Sequence, residues 1–119
     1  MTTLRLRRIK DIIERYEEIL DKTKDYEKKT MLLNDAAGLE RLLDDIEDAN
    51  KEIHSILART NTSMDEIEET LIKYILSISL PYERDLLNNI AEAVGPDNPH
   101  HQRMKRIIEH MNYILSTYT

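Results

Sequence analysis

The sequence predicts an all-α protein, in which a long antiparallel helical hairpin is packed with a three-helix unit, about five helices in total. Apolar residues recur at steps of three and four, which is the period of one helix face, and no alternating strand pattern appears in the chain. Polar and proline-containing segments divide the 119 residues into lengths suited to helices. We expect a single domain over residues 1–119, with the hairpin in 1–59 and the three-helix unit in 63–119.

Two apolar ladders predict the hairpin. The first helix is expected to start after Thr2 or Thr3 and to reach about Lys22, and the second to run from about Asp25 to Arg59, with the polar residues 23–25 forming the reversal. The ladders consist of Leu6, Ile9, Ile13, Tyr16 and Leu20 in the first helix, and of Leu32, Ala36, Leu39, Leu43, Ile46, Asn50, Ile53 and Leu57 in the second.

A reversal at residues 23–25 also fixes the expected register. It pairs Leu6 with Leu43, Ile9 with Leu39, Ile13 with Ala36, and Tyr16 with Leu32. Gly38 lies inside the second helix, where glycine costs about 1 kcal/mol relative to alanine. We expect the helix to continue through it because the ladder keeps its phase; a loop at Asn34-Asp35 followed by a new helix is the alternative.

Capping signals predict the third helix. Ser63 and Glu66 have the spacing of a capping box. The helix is expected to end at Leu80-Pro81, because proline disfavours helix in the residue before it. We expect it to be a central element contacted on two sides. Its inward residues are expected to be Ile67, Leu71, Tyr74, Ile75 and Ile78, with Ile72 and Leu76 widening the stripe.

Proline and glycine also delimit the last two helices. The fourth is expected from Pro81 to Val94, where Gly95-Pro96 stops it. The fifth follows Asp97-Asn98-Pro99. The expected core residues are Leu86, Leu87, Ile90, Ala91 and Val94 in the fourth helix, and Met104, Ile107, Ile108, Met111, Ile114, Leu115 and Tyr118 in the fifth.

Composition excludes several classes of protein. The chain contains no cysteine, so a disulfide framework, a thiolate metal site and a cysteine nucleophile are excluded. No apolar run is long enough for a signal peptide or a membrane span. We therefore expect a soluble cytoplasmic protein that does not bind membranes.

Charge argues against nucleic acid as the main partner. The formal net charge is −6, whereas a duplex-binding domain usually carries a clustered basic face. The one basic cluster is Arg5, Arg7, Arg8 and Lys10. A helical nucleic-acid-binding regulator that uses this cluster remains an alternative.

Motifs for catalysis or metal binding are weak. Glycine occurs only at positions 38 and 95, so the chain lacks a glycine-rich phosphate loop. His100 and His101 are adjacent and point about 100° apart on a helix. His54 and His110 have no histidine or cysteine nearby in the sequence. We expect no catalytic residue, no cofactor and no metal.

Acidic clusters leave one enzyme alternative open. Glu17, Glu18 and Asp21 are similar to the Glu-Glu-x-x-Glu motif with which all-α nucleotide pyrophosphohydrolases hold magnesium. A second cluster is Asp44, Asp45, Glu47 and Asp48. The expected register places residues 17–21 opposite residues 28–31, several turns from the second cluster, and this separation argues against a magnesium-dependent nucleotide hydrolase.

Arginine and tyrosine side chains form the candidate partner-binding surface. Tyrosine is enriched at protein interfaces. The candidates are Arg5 and Arg8 in the first helix, Tyr82 in the fourth, and Tyr113 and Tyr118 near the carboxyl end.

Residues 13–57 carry a family resemblance. The turn Thr23-Lys24-Asp25-Tyr26, the pair Leu32-Leu33, and Leu39-Glu40-Arg41-Leu42-Leu43 leading to Ile46 and Ile53 resemble the effector-associated helical domains of bacterial STAND (NACHT-type) NTPase systems. The resemblance implies an adaptor that brings an effector to a sensor through like-with-like or paired domain contacts. We therefore expect a non-catalytic protein–protein interaction module. Its partner is expected to be a protein, and a second copy of the chain is one candidate.

Overall fold

The fold is given by a computed structural model that describes residues 3–29, 36–59 and 64–119. Every regular element in these ranges is helical, which confirms the all-α prediction. The elements in chain order are α1 (Thr3–Lys29), α2 (Ala36–Ala58), α3 (Glu66–Tyr74), a π-helical turn (Ile75–Ser79), α4 (Leu80–Val94) and α5 (His101–Tyr118).

Four helical rods surround one core, when α3, the π turn and α4 are taken as one continuous run. Helix α1 packs against α2 and α4, and α5 packs against the same two helices. A single cluster of buried apolar residues, from Ile9 in α1 to Ile114 in α5, joins all of the rods. The molecule is 48 Å long and 23 by 19 Å across.

The expected reversal at residues 23–25 is wrong, because α1 continues to Lys29. Thr23 is fully buried in this helix, and its hydroxyl lies 2.8 Å from the carbonyl oxygen of Ile19, one turn earlier. A polar threonine thus occupies a core position because its hydroxyl has partners inside the protein. The expected break or continuity at Asn34-Asp35 falls on residues 30–35, which lie outside the described ranges.

The longer first helix changes the register of the hairpin. Tyr16 in α1 donates a 2.6 Å hydrogen bond to Asn50 in α2, and Lys22 lies 3.7 Å from Asp45. The hairpin is antiparallel as predicted, but the expected pairing of Leu6 with Leu43 and of Ile9 with Leu39 is wrong. The slip amounts to several helical turns, and the periodic ladders keep apolar residues facing each other in both registers.

The expected break at Leu80-Pro81 is replaced by the π turn. Leu80 keeps right-handed helical angles, and its N–H bonds the carbonyl oxygen of Ile75, five residues earlier. In an ordinary α-helix the ring of Pro81 would press on the carbonyl of residue 77. The wider turn directly before Pro81 lets the helix continue, so residues 66–94 form one run.

The start of α3 differs from the predicted capping box by two residues. Asp65 is the N-cap: its side chain accepts a 2.8 Å hydrogen bond from the Glu68 N–H. The Glu68 carboxylate accepts a 3.2 Å bond from the Asp65 N–H, which completes the box. Ser63 lies outside the described residues.

The buried face of α3 and the π turn is rotated from the predicted one: Ile72, Ile75 and Leu76 are buried as predicted, but the other predicted residues are not. Ile67, Tyr74 and Ile78 are exposed, and Leu71 is half-buried. The buried positions on this part of the run are Glu68, Ile72, Ile75, Leu76 and Ser79. Helix α3 packs mainly against α1 and lies at the edge of the bundle, so the expectation of a central element is wrong.

Helices α4 and α5 have the predicted buried faces. Leu87, Ile90 and Ala91 are buried in α4, and Leu86 and Val94 are half-buried. In α5 the buried residues are Met104, Ile107, Ile108, Met111 and Ile114, while Leu115 and Tyr118 pack partly against the same cluster.

Removing the N-cap of α3 should destabilise the protein. We expect Asp65→Ala to lower the free energy of unfolding by about 1 kcal/mol, because the Glu68 N–H loses its acceptor. Urea denaturation followed by circular dichroism measures this difference. Asp97→Ala removes an exposed aspartate before α5 and should change stability by less than about 0.5 kcal/mol. Equal effects of the two substitutions would contradict the capping role of Asp65.

Candidate functional site

The structure distributes the predicted surface residues over three places. Arg5 Nη2 donates a 3.0 Å hydrogen bond to the buried Glu68 carboxylate, and Arg8 Nη2 donates one of 3.0 Å to Glu52. The bond from Arg5 holds the pKa of Glu68 below its usual value. Both arginines therefore tie α1 to neighbouring helices, and a partner contact by either one stays a prediction.

The predicted tyrosines lie at two of these places. The Lys24 ammonium lies 4.9 Å from the centre of the Tyr82 ring, between α1 and α4. Tyr113 and Tyr118 both have edge-on ring contacts with His54, at 5.7 and 6.1 Å between ring centres. Tyr113 and Tyr118 are thus brought together near α2, and Tyr82 is apart from them.

His54 and His110 are far apart in sequence but touch in the fold. His54 Nδ1 lies 3.0 Å from His110 Nε2, so one ring donates an N–H to the other. Burial and the nearby positive charges of His54 and Lys51 lower the pKa of His110. The pairing follows from the packing of α2 against α5, which sequence spacing alone does not reveal.

An exposed apolar stripe runs along the 66–94 helix. We call the α3–α4 stripe the set of Ile67, Leu71, Tyr74, Ile78 and Tyr82. Ile67 is 59% exposed, Ile78 49% and Tyr82 46%. All five side chains are exposed or half-buried, so they lie on the side of the run that points away from the bundle core. The sequence identified most of these residues but assigned them to the core.

The acidic clusters lie closer together than the predicted register implied. Lys22 meets Asp45, so residues 17–21 of α1 lie beside the second cluster and not several turns away. Arg103 of α5 is ion-paired with both Asp44 and Glu47. Within residues 3–29, 36–59 and 64–119, no group of three histidine or acidic side chains is close enough to hold a metal ion.

A buried polar pair joins α1 to α4. Thr23 Oγ1 lies 2.6 Å from Glu83 Oε1, and both residues are fully buried. The threonine hydroxyl has one proton, which it can donate to the carbonyl oxygen of Ile19. When Glu83 is ionised, the hydroxyl can instead donate to Oε1; when Glu83 carries a proton, the carboxyl group can donate to Thr23 while the threonine donates to Ile19.

Burial favours this neutral form of Glu83. The second carboxyl oxygen, Oε2, has no hydrogen-bond partner in the described part of the chain. Loss of hydration raises the pKa of Glu83 from 4.5 to about 8, although the bond to Thr23 acts in the opposite direction. No sequence pattern pointed to this residue, because Glu83 follows Pro81-Tyr82 in what reads as an exposed first turn.

Comparison with known proteins provides no family for this chain. No protein-family model matches it, and neither a curated protein nor a solved structure shows significant similarity to it. The resemblance to effector-associated domains therefore stays a prediction. Among the described helices, none is long and apolar enough to cross a membrane.

The buried carboxyl group should make stability depend on pH. The pKa of Glu83 is higher in the folded protein than in the unfolded chain, so the unfolded state loses its proton first as pH rises. The free energy of unfolding should therefore decrease as pH rises from about 4.5 to about 8, by no more than about 1.4 kcal/mol per pH unit. Glu83→Gln keeps a donor for Thr23 without a charge, and we expect its stability to lack this fall.

The measurement is urea unfolding of the wild type and of Glu83→Gln from pH 5 to pH 9. Glu69→Gln, at an exposed position of α3, is the control and should follow the wild-type curve. Parallel curves for the wild type and Glu83→Gln would show that Glu83 does not titrate differently in the folded state.

Proposed function

We propose that this protein is a non-catalytic protein–protein interaction module whose contact surface is the α3–α4 stripe and whose partner there is a second copy of the chain. The observation that supports the proposal is the stripe itself. A contiguous row of exposed apolar side chains on a folded protein is typical of an interaction site.

The exposure of the stripe has a structural origin. Helix α3 packs mainly against α1, through the face that carries Ile72 and Glu68. On the face that carries the stripe, no other described helix packs along about three turns.

The spacing of the stripe supports a second copy as the occupant. When two identical helices pack antiparallel about a two-fold axis, a residue of one copy faces the residue of the other copy that lies equally far on the opposite side of the axis. With the axis between residues 72 and 73, Ile67 of one copy lies opposite Ile78 of the other. The same axis places Leu71 opposite Tyr74. Four of the five residues of the stripe are therefore covered in one register, and Tyr82 lies beyond the overlap.

This mode of contact agrees with the family resemblance. Effector-associated domains imply an adaptor that works through like-with-like or paired contacts, without catalysis of its own. The described residues contain no group of acidic and histidine side chains suited to a metal, which is consistent with a non-catalytic role but does not by itself support it.

Charges placed within the stripe should disrupt self-association. The double variant Ile67→Asp/Ile78→Asp would bring unpaired carboxylates into the apolar contact, each at a cost of several kcal/mol. We expect the dissociation constant of the dimer to rise at least 100-fold, or about 2.8 kcal/mol. Light scattering across a concentration series measures it, with circular dichroism to verify folding.

The matched control places aspartate on another helix. Thr117 is exposed in α5, and Thr117→Asp should leave the dimer intact. A wild-type protein that is monomeric at every concentration would overturn self-association. A dimer that survives both charges in the stripe would place the contact surface elsewhere.

A further inference from the structure

A small cleft lies on the seam between α2 and α5. The two helices run parallel with a constant offset of 56 residues: Arg103 bonds Glu47, and His110 contacts His54. These two contacts lie two helical turns apart and close the cleft at its ends. The space between them measures about 140 Å³ and is lined by Glu47, Asn50, Lys51, Arg106, Ile107 and His110.

Positive charge is concentrated in the middle of this seam. One end of the seam contains the ion pair between Arg103 and Glu47, with 2.6 Å between Nε and Oε1. Between this pair and the two histidines lie Lys51 from α2 and Arg106 from α5. In the described part of the chain neither cation forms a hydrogen bond or an ion pair. Two cations therefore line the same cleft, and the carboxylate that lines it with them, that of Glu47, is bound by Arg103.

A buried amide adds an unused hydrogen-bond donor. Asn50 is fully buried and forms part of the cleft wall. Its Oδ1 accepts the 2.6 Å hydrogen bond from Tyr16 of α1, which fixes the orientation of the carboxamide. Its Nδ2 has no partner among the described residues. An unsatisfied buried donor costs about 1 to 3 kcal/mol, and Nδ2 itself is shielded from solvent, so only an acceptor that displaces part of the cleft floor would reach it.

We propose that this cleft binds a small oxyanion, of the size and charge of a single phosphate group. Lys51 and Arg106 supply the charge, and the unused donor of Asn50 lies behind the floor of the cleft. The volume far exceeds the ~10–15 Å³ that one water needs, so a small oxyanion has room beside the two cations.

His110 provides a reporter inside the cleft. Its pKa is lowered by burial and by the positive charges of His54 and Lys51, while Glu47 acts in the opposite direction. The charged groups that face it are therefore Glu47, Lys51 and His54 from α2 and Arg106 from its own helix. A bound anion adds negative charge, so it should raise the pKa of His110.

The test is a phosphate titration followed through the imidazole NMR signals of His110. Inorganic phosphate is added to the full chain in a buffer without other oxyanions, with sodium chloride holding the ionic strength constant. We expect saturable shifts of the His110 signals and a higher His110 pKa in the presence of phosphate. Acetate and a phosphate monoester, in parallel titrations, distinguish a carboxylate ligand and an esterified phosphate from the free ion.

Variants assign the binding to the cleft. Lys51→Gln/Arg106→Gln removes both exposed cations and should weaken phosphate binding at least tenfold. Lys73→Gln removes one exposed positive charge on α3, far from this seam, and should bind phosphate as the wild type does. Asn50→Asp keeps the acceptor for Tyr16 but replaces the unused donor by an acceptor, and should also weaken binding.

Three results would contradict the proposed site. The first is a shift of the His110 signals that grows linearly with phosphate concentration, and the second is the same shift produced by chloride. The third is an affinity for phosphate that is unchanged in Lys51→Gln/Arg106→Gln. Each would mean that water alone, or an adventitious ion only, occupies the cleft. The result does not depend on self-association, because the α3–α4 stripe belongs to another rod of the bundle.

Discussion

The hydrogen bond between Tyr16 and Asn50 determines how the first two helices slide along each other. Aliphatic ladders alone permit several registers, since shifting one helix by whole turns returns apolar residues to the same face. A fully buried tyrosine hydroxyl and a fully buried asparagine amide do not permit this, because separating them leaves both unsatisfied. The same asparagine forms the wall of the α2–α5 cleft, so this register also sets the geometry of the seam.

The predictions from sequence were correct where the buried residues are apolar and failed where a polar residue is buried in the core. The helical period predicted the all-α class, the hairpin and the buried faces of α2, α4 and α5. It failed at Thr23, which reads as a turn residue but is buried because Glu83 and a backbone carbonyl satisfy its hydroxyl. It failed again at Glu68, whose burial depends on an arginine 63 positions away. Such long-range partners leave no periodic signal.

A buried polar side chain also explains why part of the predicted buried face of α3 is exposed. Two interleaved faces compete on this helix, one with Ile67, Tyr74 and Ile78, the other with Glu68 and Ile72. Hydrophobicity alone favours the first face, but the ion pair with Arg5 allows the second to be buried. The histidine pair and the α2–α5 cleft were equally hidden, because both arise where helices distant in sequence run side by side.

The π turn sets the relative rotation of α3 and α4. A π turn contains one more residue than the α-helical turn that it replaces, and each residue advances a helix by about 100°. Removing one residue from Ile75–Ser79 would therefore turn α3 by about a quarter of a revolution relative to α4 while leaving its length and composition almost unchanged. The direction in which the edge of this bundle presents its apolar side chains is thus controlled by a single backbone insertion, independently of the residues that form the surface.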